Sequence, residues 1–335
     1  MLKLALLGFW HVHAKDYFKD ALEHPNTEVT LAWDDDKTRG QTSTAQFGQD
    51  LRFVERLEDV LASDIDGVIV TTSTNIHPEV LIAAASAGKH IFTEKVVAST
   101  LKDTNAIVNA VNKAKVKLTV SLPRLNSGST LAIQKIIQDG TLGQLTQARV
   151  RLSHNGALPN PQNKNGWLPE HFYNLSEAAG GAMIDLGCHP MYLTRLFLGM
   201  PQAVSGVYGY VTKRDVEDNA VVTLHYDDNA IGIVEAGFVN KHSPFSIEVH
   251  GTEGSLLYGT PDNKLLLRAG SQNTWQDISL PKDKPKAFDQ WVKHIQEGTT
   301  ATENITLARD LSVLMEAANL SAKTKRAVTI SELAV

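Results

Sequence analysis

The stretch Leu2-Lys3-Leu4-Ala5-Leu6-Leu7-Gly8-Phe9-Trp10-His11-Val12-His13 decides the fold. A continuous apolar run of strand length stops at Gly8, and helical spacing then continues through about Glu23. The pattern recurs: Val29 to Trp33 ends in Asp34, with helical spacing through Phe47. Further buried strands are read at Gly67 to Val70, His90 to Phe92 and Lys117 to Val120. Helices near Pro78 to Ala87 and Leu101 to Ala114 separate them. Strands alternating with helices of this length make βαβ units and a parallel sheet. The first 122 residues therefore read as a doubly wound nucleotide-binding domain.

Beyond Ser121-Leu122-Pro123 the pattern changes. A helix (Ser129 to Asp139) and a strand (Thr146 to Ser153) precede a polar stretch, Asn155 to Asn174, rich in Asn, Pro and Gly. A loop of that length in a compact chain is more often functional than idle. A helix from about Gly181 to Leu198 follows. Six short alternating segments between Ala203 and Leu267 then predict a mainly antiparallel sheet with tight turns at Tyr226 to Asn229 and Gly251 to Gly254. Two helices, Ala287 to Gln296 and Ile305 to Lys323, end the chain. The fold class expected is α/β for residues 1–122 and α+β, with a large open sheet, for residues 123–335.

Composition narrows the function classes. The 335 residues suit two domains. Lys and Arg number 32 against 37 Asp and Glu, a net charge of −5 without a basic block, so neither nucleic acid nor an anionic membrane surface is expected as a partner. Met1 to Gly8 is too short for a signal-peptide core, no later stretch reaches about 18 uncharged apolar residues, and the single cysteine, Cys188, excludes a disulfide framework. A soluble cytoplasmic protein is expected.

Candidate chemistry falls at strand ends. Gly8 is the one glycine of a G-x-G-x-x-G turn that this chain keeps. Phe9, Trp10 and His11 follow it, and Trp10 and His13 occupy the other two glycine places, so a plain strand-to-helix turn explains the segment as well as a dinucleotide site. Asp34, at the end of the second strand, is placed to accept an adenosine ribose hydroxyl and to repel a 2′-phosphate, which favours NAD over NADP. The alternative is that the aspartates of Trp33-Asp34-Asp35-Asp36 cap the next helix. Thr71, Thr72, Asn75 and His77 suit contacts to a cofactor, or helix capping. Glu94-Lys95 leaves two charges at the sheet's carboxyl edge, as ligand-binding groups or a surface ion pair. Asp185 and His189, four apart on a predicted helix, share a face, so the carboxylate can orient an imidazole acting as base; a hydrogen bond without chemistry is the alternative. No third ligand of metal-site spacing accompanies them, and no metal is expected. Arg124, Trp167 and His171 are candidates for substrate contacts, Trp167 offering a stacking face or a core anchor.

Together these segments resemble the Gfo/Idh/MocA oxidoreductases. Gly88-Lys-His-Ile-Phe-Thr-Glu-Lys95 is similar to that family's A-G-K-H-V-x-x-E-K-P signature, and Gly180-Gly-Ala-Met-Ile-Asp-Leu-Gly-Cys-His189 to its G-G-G-x-x-x-D-x-G-x-H helix. Ile247 to Gly254 is similar to its I-x-x-x-G-T-x-G turn, and Ala327-Val-Thr-Ile to its ending. The resemblance implies a Rossmann domain holding NAD or NADP, and a second domain whose sheet assembles a homodimer or homotetramer. It also implies metal-free oxidation of a secondary hydroxyl on a sugar, polyol or related compound. By position, it makes Lys95 the contact to substrate hydroxyl and nicotinamide ribose, Asp185 a substrate holder, His189 the acid/base and Glu94 a support. A redox-neutral sugar-modifying enzyme and a non-catalytic sugar or nucleotide sensor share this fold. Two departures stand out: Val96 replaces the signature's proline, so a trans Lys95–Val96 peptide is expected, and Tyr192 replaces an aspartate common three residues after the histidine.

Overall fold

The computed structural model describes residues 1–48, 50–259 and 262–333. The N-terminal part runs β1 (Leu2–Leu7), α1 (Ala14–Glu23), β2 (Thr27–Trp33), α2 (Lys37–Phe47), β3 (Arg52–Phe53), α3 (Leu57–Leu61), β4 (Gly67–Val70), α4 (His77–Ser86), β5 (His90–Thr93), α5 (Leu101–Ala114) and β6 (Leu118–Val120). All six strands pair in parallel, in the order β3-β2-β1-β4-β5-β6. Chain order reverses between β1 and β4, and ligands of open α/β sheets bind beyond the carboxyl ends of the strands at such a switch point. Leu4 to Leu7 of β1 and Val68 to Val70 of β4 are apolar and fully buried because helices cover both faces of the sheet.

The remainder begins with α6 (Gly128–Gln138) and β7 (Leu145–Ser153), followed by α7 (Leu175–Ala178), a π-helical turn over Met183–Gly187, and α8 (Cys188–Leu198). Then come β8 (Ala203–Gly209), β9 (Asn219–His225), β10 (Ile231–Gly237), β11 (Ser246–Gly251), β12 (Gly254–Tyr258), β13 (Leu265–Ala269) and β14 (Gln276–Ile278). Two long helices, α9 (Ala287–Glu297) and α10 (Thr302–Thr324), precede β15 (Val328–Thr329). The second sheet has nine strands in the order β14-β13-β12-β11-β7-β10-β9-β8-β15, and only the β7–β10 pair is parallel. Both sheets match the expected fold class.

The division of the chain needs one correction. The first compact unit comprises Met1–Ser121 together with Pro285–Arg309, and the second Leu122–Lys284 with Asp310–Val335. α9 falls in the first unit and not with the residues that follow 122. The reason is its apolar face: Ala287, Phe288, Trp291 and Val292 join Leu4, Leu6, Phe18 and Phe92 in one core. Trp291 is fully buried and donates Nε1–H to the Lys117 carbonyl at 3.3 Å. Asn304 bonds both the nitrogen and the carbonyl of Val120 at 2.8 Å, closing the edge that β6 would otherwise leave open.

Candidate active site

In the first unit, the candidate residues gather at the carboxyl ends of β1, β2, β4 and β5. Gly8 has φ 92°, and a Cβ there would lie 2.5 Å from the Thr72 nitrogen, so only glycine permits this turn. Its nitrogen donates to the Trp33 carbonyl at 2.7 Å, and Thr71 Oγ1 donates to its carbonyl. Phe9 packs edge-on against Phe47. Trp10 is 3% exposed, so its indole is packed inside the unit. His11 is buried too, its nitrogen donating to the Thr71 carbonyl at 3.1 Å.

Asp34 is more heavily engaged than the sequence suggests. Oδ2 accepts from the Phe9 nitrogen at 2.7 Å and from Arg39 Nε at 3.0 Å. Oδ1 accepts from the Asp36 nitrogen and from Arg39 Nη2, both at 2.7 Å. Those four donors match the roughly four acceptor positions of a carboxylate. The capping role falls instead to Asp36, which accepts from the Arg39 nitrogen at 2.9 Å at the start of α2. Arg39 was missed because its meaning depends on α2 starting at Lys37, which puts position 39 within reach of Asp34.

Thr71 and Thr72 are buried, and Thr72 Oγ1 has no hydrogen-bond partner among the described residues. Asn75 is exposed and pairs with Ser73 through Oδ1 at 2.7 Å. His77 is buried with Nδ1 3.0 Å from the Val96 carbonyl, a supporting position.

Glu94 and Lys95 are no surface pair: their side chains are 1% and 3% exposed. Glu94 Oε2 accepts from the Lys95 nitrogen at 2.8 Å and lies 3.7 Å from the ammonium. Oε1 is 2.7 Å from His13 Nδ1 and 3.6 Å from His11 Nδ1, and it accepts from the Tyr17 hydroxyl. Burial disfavours the charged carboxylate, but His11, Lys95 and His13 outweigh it and hold the Glu94 carboxyl well below the usual range. The Lys95–Val96 peptide is cis, correcting the trans expectation. The peptides on either side of it are held by the Glu94 carboxylate on the Lys95 nitrogen and by His77 on the Val96 carbonyl.

In the second unit, the predicted helix from Gly181 is π-wound over Met183–Gly187, so regular helical spacing does not carry from Asp185 to His189. Instead Tyr192, the departure from the family pattern, holds the histidine. Its hydroxyl lies 3.2 Å from His189 Nδ1 and accepts from the Arg124 nitrogen at 3.0 Å. His189 and Tyr192 are buried. The Arg124 guanidinium stacks 3.8 Å over the Phe245 ring, where burial lowers its pKa.

His154, at the end of β7, also escaped the sequence reading, since a lone histidine ending a strand carries no spacing signal. It stacks on Phe238 and lies 4.6 Å, ring to ring, from Trp167. Burial pushes its pKa down while the charge of Asp185 acts in the other direction. Trp167, beside His154, is 51% exposed. His171 is in ring contact with Phe172.

Comparison with known proteins settles the family. The oxidoreductase family with an NAD-binding Rossmann fold matches residues 2–122, and the GFO/IDH/MocA C-terminal domain matches residues 130–257. The chain belongs to the GFO/IDH/MocA family. It is an oxidoreductase with an NAD-binding first domain. The 1,5-anhydro-D-fructose reductase of Ensifer adhaerens is 28% identical over 320 residues, covering 91% of this chain and 93% of that one. The scyllo-inositol 2-dehydrogenase (NAD(+)) of Bacillus subtilis (strain 168) is 27% identical over 314 residues, covering 91% and 85%. Among solved structures, levoglucosan dehydrogenase in complex with NADH and levoglucosan superposes with a TM-score of 0.80 at 20% identity, covering 98% and 99%. Aldose-aldose oxidoreductase from Caulobacter crescentus gives 0.81 at 20% identity, with the same coverage.

Two features of the β1–β4 edge fit a dinucleotide: a turn that only glycine permits, and the buried, unpartnered Thr72 hydroxyl beside it. Among the described residues, no helix is long and apolar enough to cross a membrane.

Proposed function

We propose that this family member oxidises a secondary hydroxyl of a sugar, polyol or related compound, or reduces the matching ketone. The observation that carries this reading is the orientation of His189 by Tyr192. A base must present one bare nitrogen in a fixed direction. In the tautomer that donates Nδ1–H to the Tyr192 oxygen, Nε2 is bare and takes the hydroxyl proton. Bound NAD supplies the hydride acceptor. Lys95, buried on a rigid strand end, places its ammonium against the alkoxide as charge develops on oxygen. Asp185 and Trp167 hold the substrate's other hydroxyls and a ring face, and Arg124 and His171 add further substrate contacts. Gly8, Phe9, Trp10, His11, Thr71, Thr72, Asn75 and His77 build the dinucleotide turn and its support, Glu94 steadies Lys95, and Asp34 meets the ribose by exchanging a hydrogen bond from Arg39 for one from a ribose hydroxyl.

The relatives' names support a sugar or polyol substrate. A cytoplasmic setting fits the lone buried Cys188. A homodimer or homotetramer would be built on the second sheet, where Val207 and Val221 are exposed. The test is turnover of a panel of cyclic polyols and sugars with NAD, followed as NADH formation. His189→Ala abolishing turnover supports the assignment; undiminished turnover removes it.

A further inference from the structure

We propose that His11, His13 and Glu94 form a binding site for a divalent transition metal of the zinc class. One ligand atom from each, an imidazole nitrogen of either histidine and a carboxylate oxygen, lies within 4.8 Å of the other two. Both imidazoles converge on the same oxygen, Oε1, at 3.6 and 2.7 Å. The Lys95 ammonium takes the other side of the carboxylate, at Oε2.

The donor set suits the class. Zinc binds imidazole nitrogen and carboxylate oxygen at about 2.0–2.2 Å, which puts two ligands of a tetrahedral ion roughly 3.3–3.5 Å apart. His11 and Glu94 already stand near that separation, and the His13–Glu94 pair must open by roughly 0.7 Å, exchanging a hydrogen bond for coordination. Two neutral imidazoles and one carboxylate give three protein ligands and leave a fourth position for water or a ligand atom, the arrangement of an open metal site. His11 and His13 lie two residues apart in one turn, so binding orders little chain that is not already ordered.

The surroundings are also those of a ligand set. The Tyr17 hydroxyl donates to Glu94 and lies 2.7 Å from Ser121 Oγ, fixing the carboxylate from behind. Glu94 and His11 are buried, whereas the His13 side chain is 38% exposed, so the cluster opens to solvent on the His13 side. Every ligand comes from the first unit.

The experiment titrates chelator-stripped full-length protein with zinc chloride by calorimetry, and with cobalt(II) followed by visible absorption. The expected result is one equivalent of zinc and a cobalt spectrum of a four-coordinate nitrogen and oxygen site. His13→Ala should weaken zinc at least about tenfold. The double variant His11→Ala/His13→Ala should remove both signals, and His242→Ala, at an exposed histidine elsewhere, should change neither. Zinc should raise the thermal midpoint of the wild type but not of His13→Ala, a readout that also reports whether the variant is folded. No binding by the wild type, or binding that the double variant retains, overturns the proposal.

Discussion

Arg39 grips Asp34 in a two-pronged ion pair, with Nη2 2.7 Å from Oδ1 and Nε 3.0 Å from Oδ2. The acidic residue proposed to meet the ribose is thus partly neutralised by a residue five positions later. Arg39→Ala exposes the carboxylate charge to the ribose end of the cofactor without removing the acceptor. The kcat/KM ratio for NAD over NADP should then rise roughly tenfold, the scale of one charge-assisted hydrogen bond. Steady-state kinetics with both cofactors check this, and an unchanged ratio would remove Arg39 from cofactor choice.

Asp34→Ala should act differently, because the Phe9 and Asp36 nitrogens and the buried side of Arg39 all lose their acceptor. Breaking such a network costs about 3 kcal/mol or more. Urea unfolding should show that loss even without cofactor.

Tyr192→Phe removes the hydroxyl from His189 Nδ1 and from the Arg124 nitrogen. Turnover should fall by roughly 10- to 100-fold with little change in NAD affinity, a part of the roughly 100- to 10,000-fold that general acid–base catalysis is worth, because the imidazole stays but loses its orienting partner. The pH–rate profile should shift as well, which a purely structural role for Tyr192 would not produce.

Glu217 offers a test by pH. It accepts from the Gly181 and Met183 nitrogens at 2.9 Å, fixing the segment that leads into His189, and burial pushes its carboxyl up to about 7. A folded-state pKa above the unfolded value means the folded protein holds the proton more tightly. Stability from this group is therefore full below about pH 4.5 and declines as pH rises to about 7, by about 3 kcal/mol in all. Glu217→Gln should lack that decline, so the stability difference between wild type and variant should shrink from pH 5 to pH 8. A difference that stays constant contradicts the assignment.

Much of this was legible in the sequence because periodicity reports burial. Leu4–Leu7 and Gly67–Val70 are uniformly apolar since both faces of a parallel sheet are covered there, and the limits of both strands read correctly. The placement of α9 was not legible: Trp291 packs beside Phe92 across some two hundred residues of intervening chain, a relation no local pattern encodes. The site divides in the same way. Glu94, Lys95 and His189 announce themselves by position at a strand end or on a helix, whereas Arg39, Tyr17, His154 and Tyr192 gain meaning only from the atoms they touch. Side-chain hydrogen bonds between segments far apart in sequence leave no periodic trace.

The second sheet carries an assembly prediction. Val207 on β8 is 75% exposed and Val221, its partner on β9, is 42% exposed, forming an apolar pair on one face. Val207→Glu should lower the solution mass measured by light scattering toward that of a monomer. A wild type that is already monomeric would refute assembly through this face.

The central claim is that His189 and Lys95 carry hydroxyl oxidation with NAD. The most direct measurement is single-turnover NADH formation from a polyol or sugar hit, in the wild type, His189→Ala and Lys95→Ala, with NAD affinity measured alongside by calorimetry. The account predicts that NAD still binds His189→Ala while NADH formation falls at least about 100-fold in both variants. Hydride transfer at the wild-type rate in either variant, or a wild type that binds neither NAD nor NADP, would contradict it.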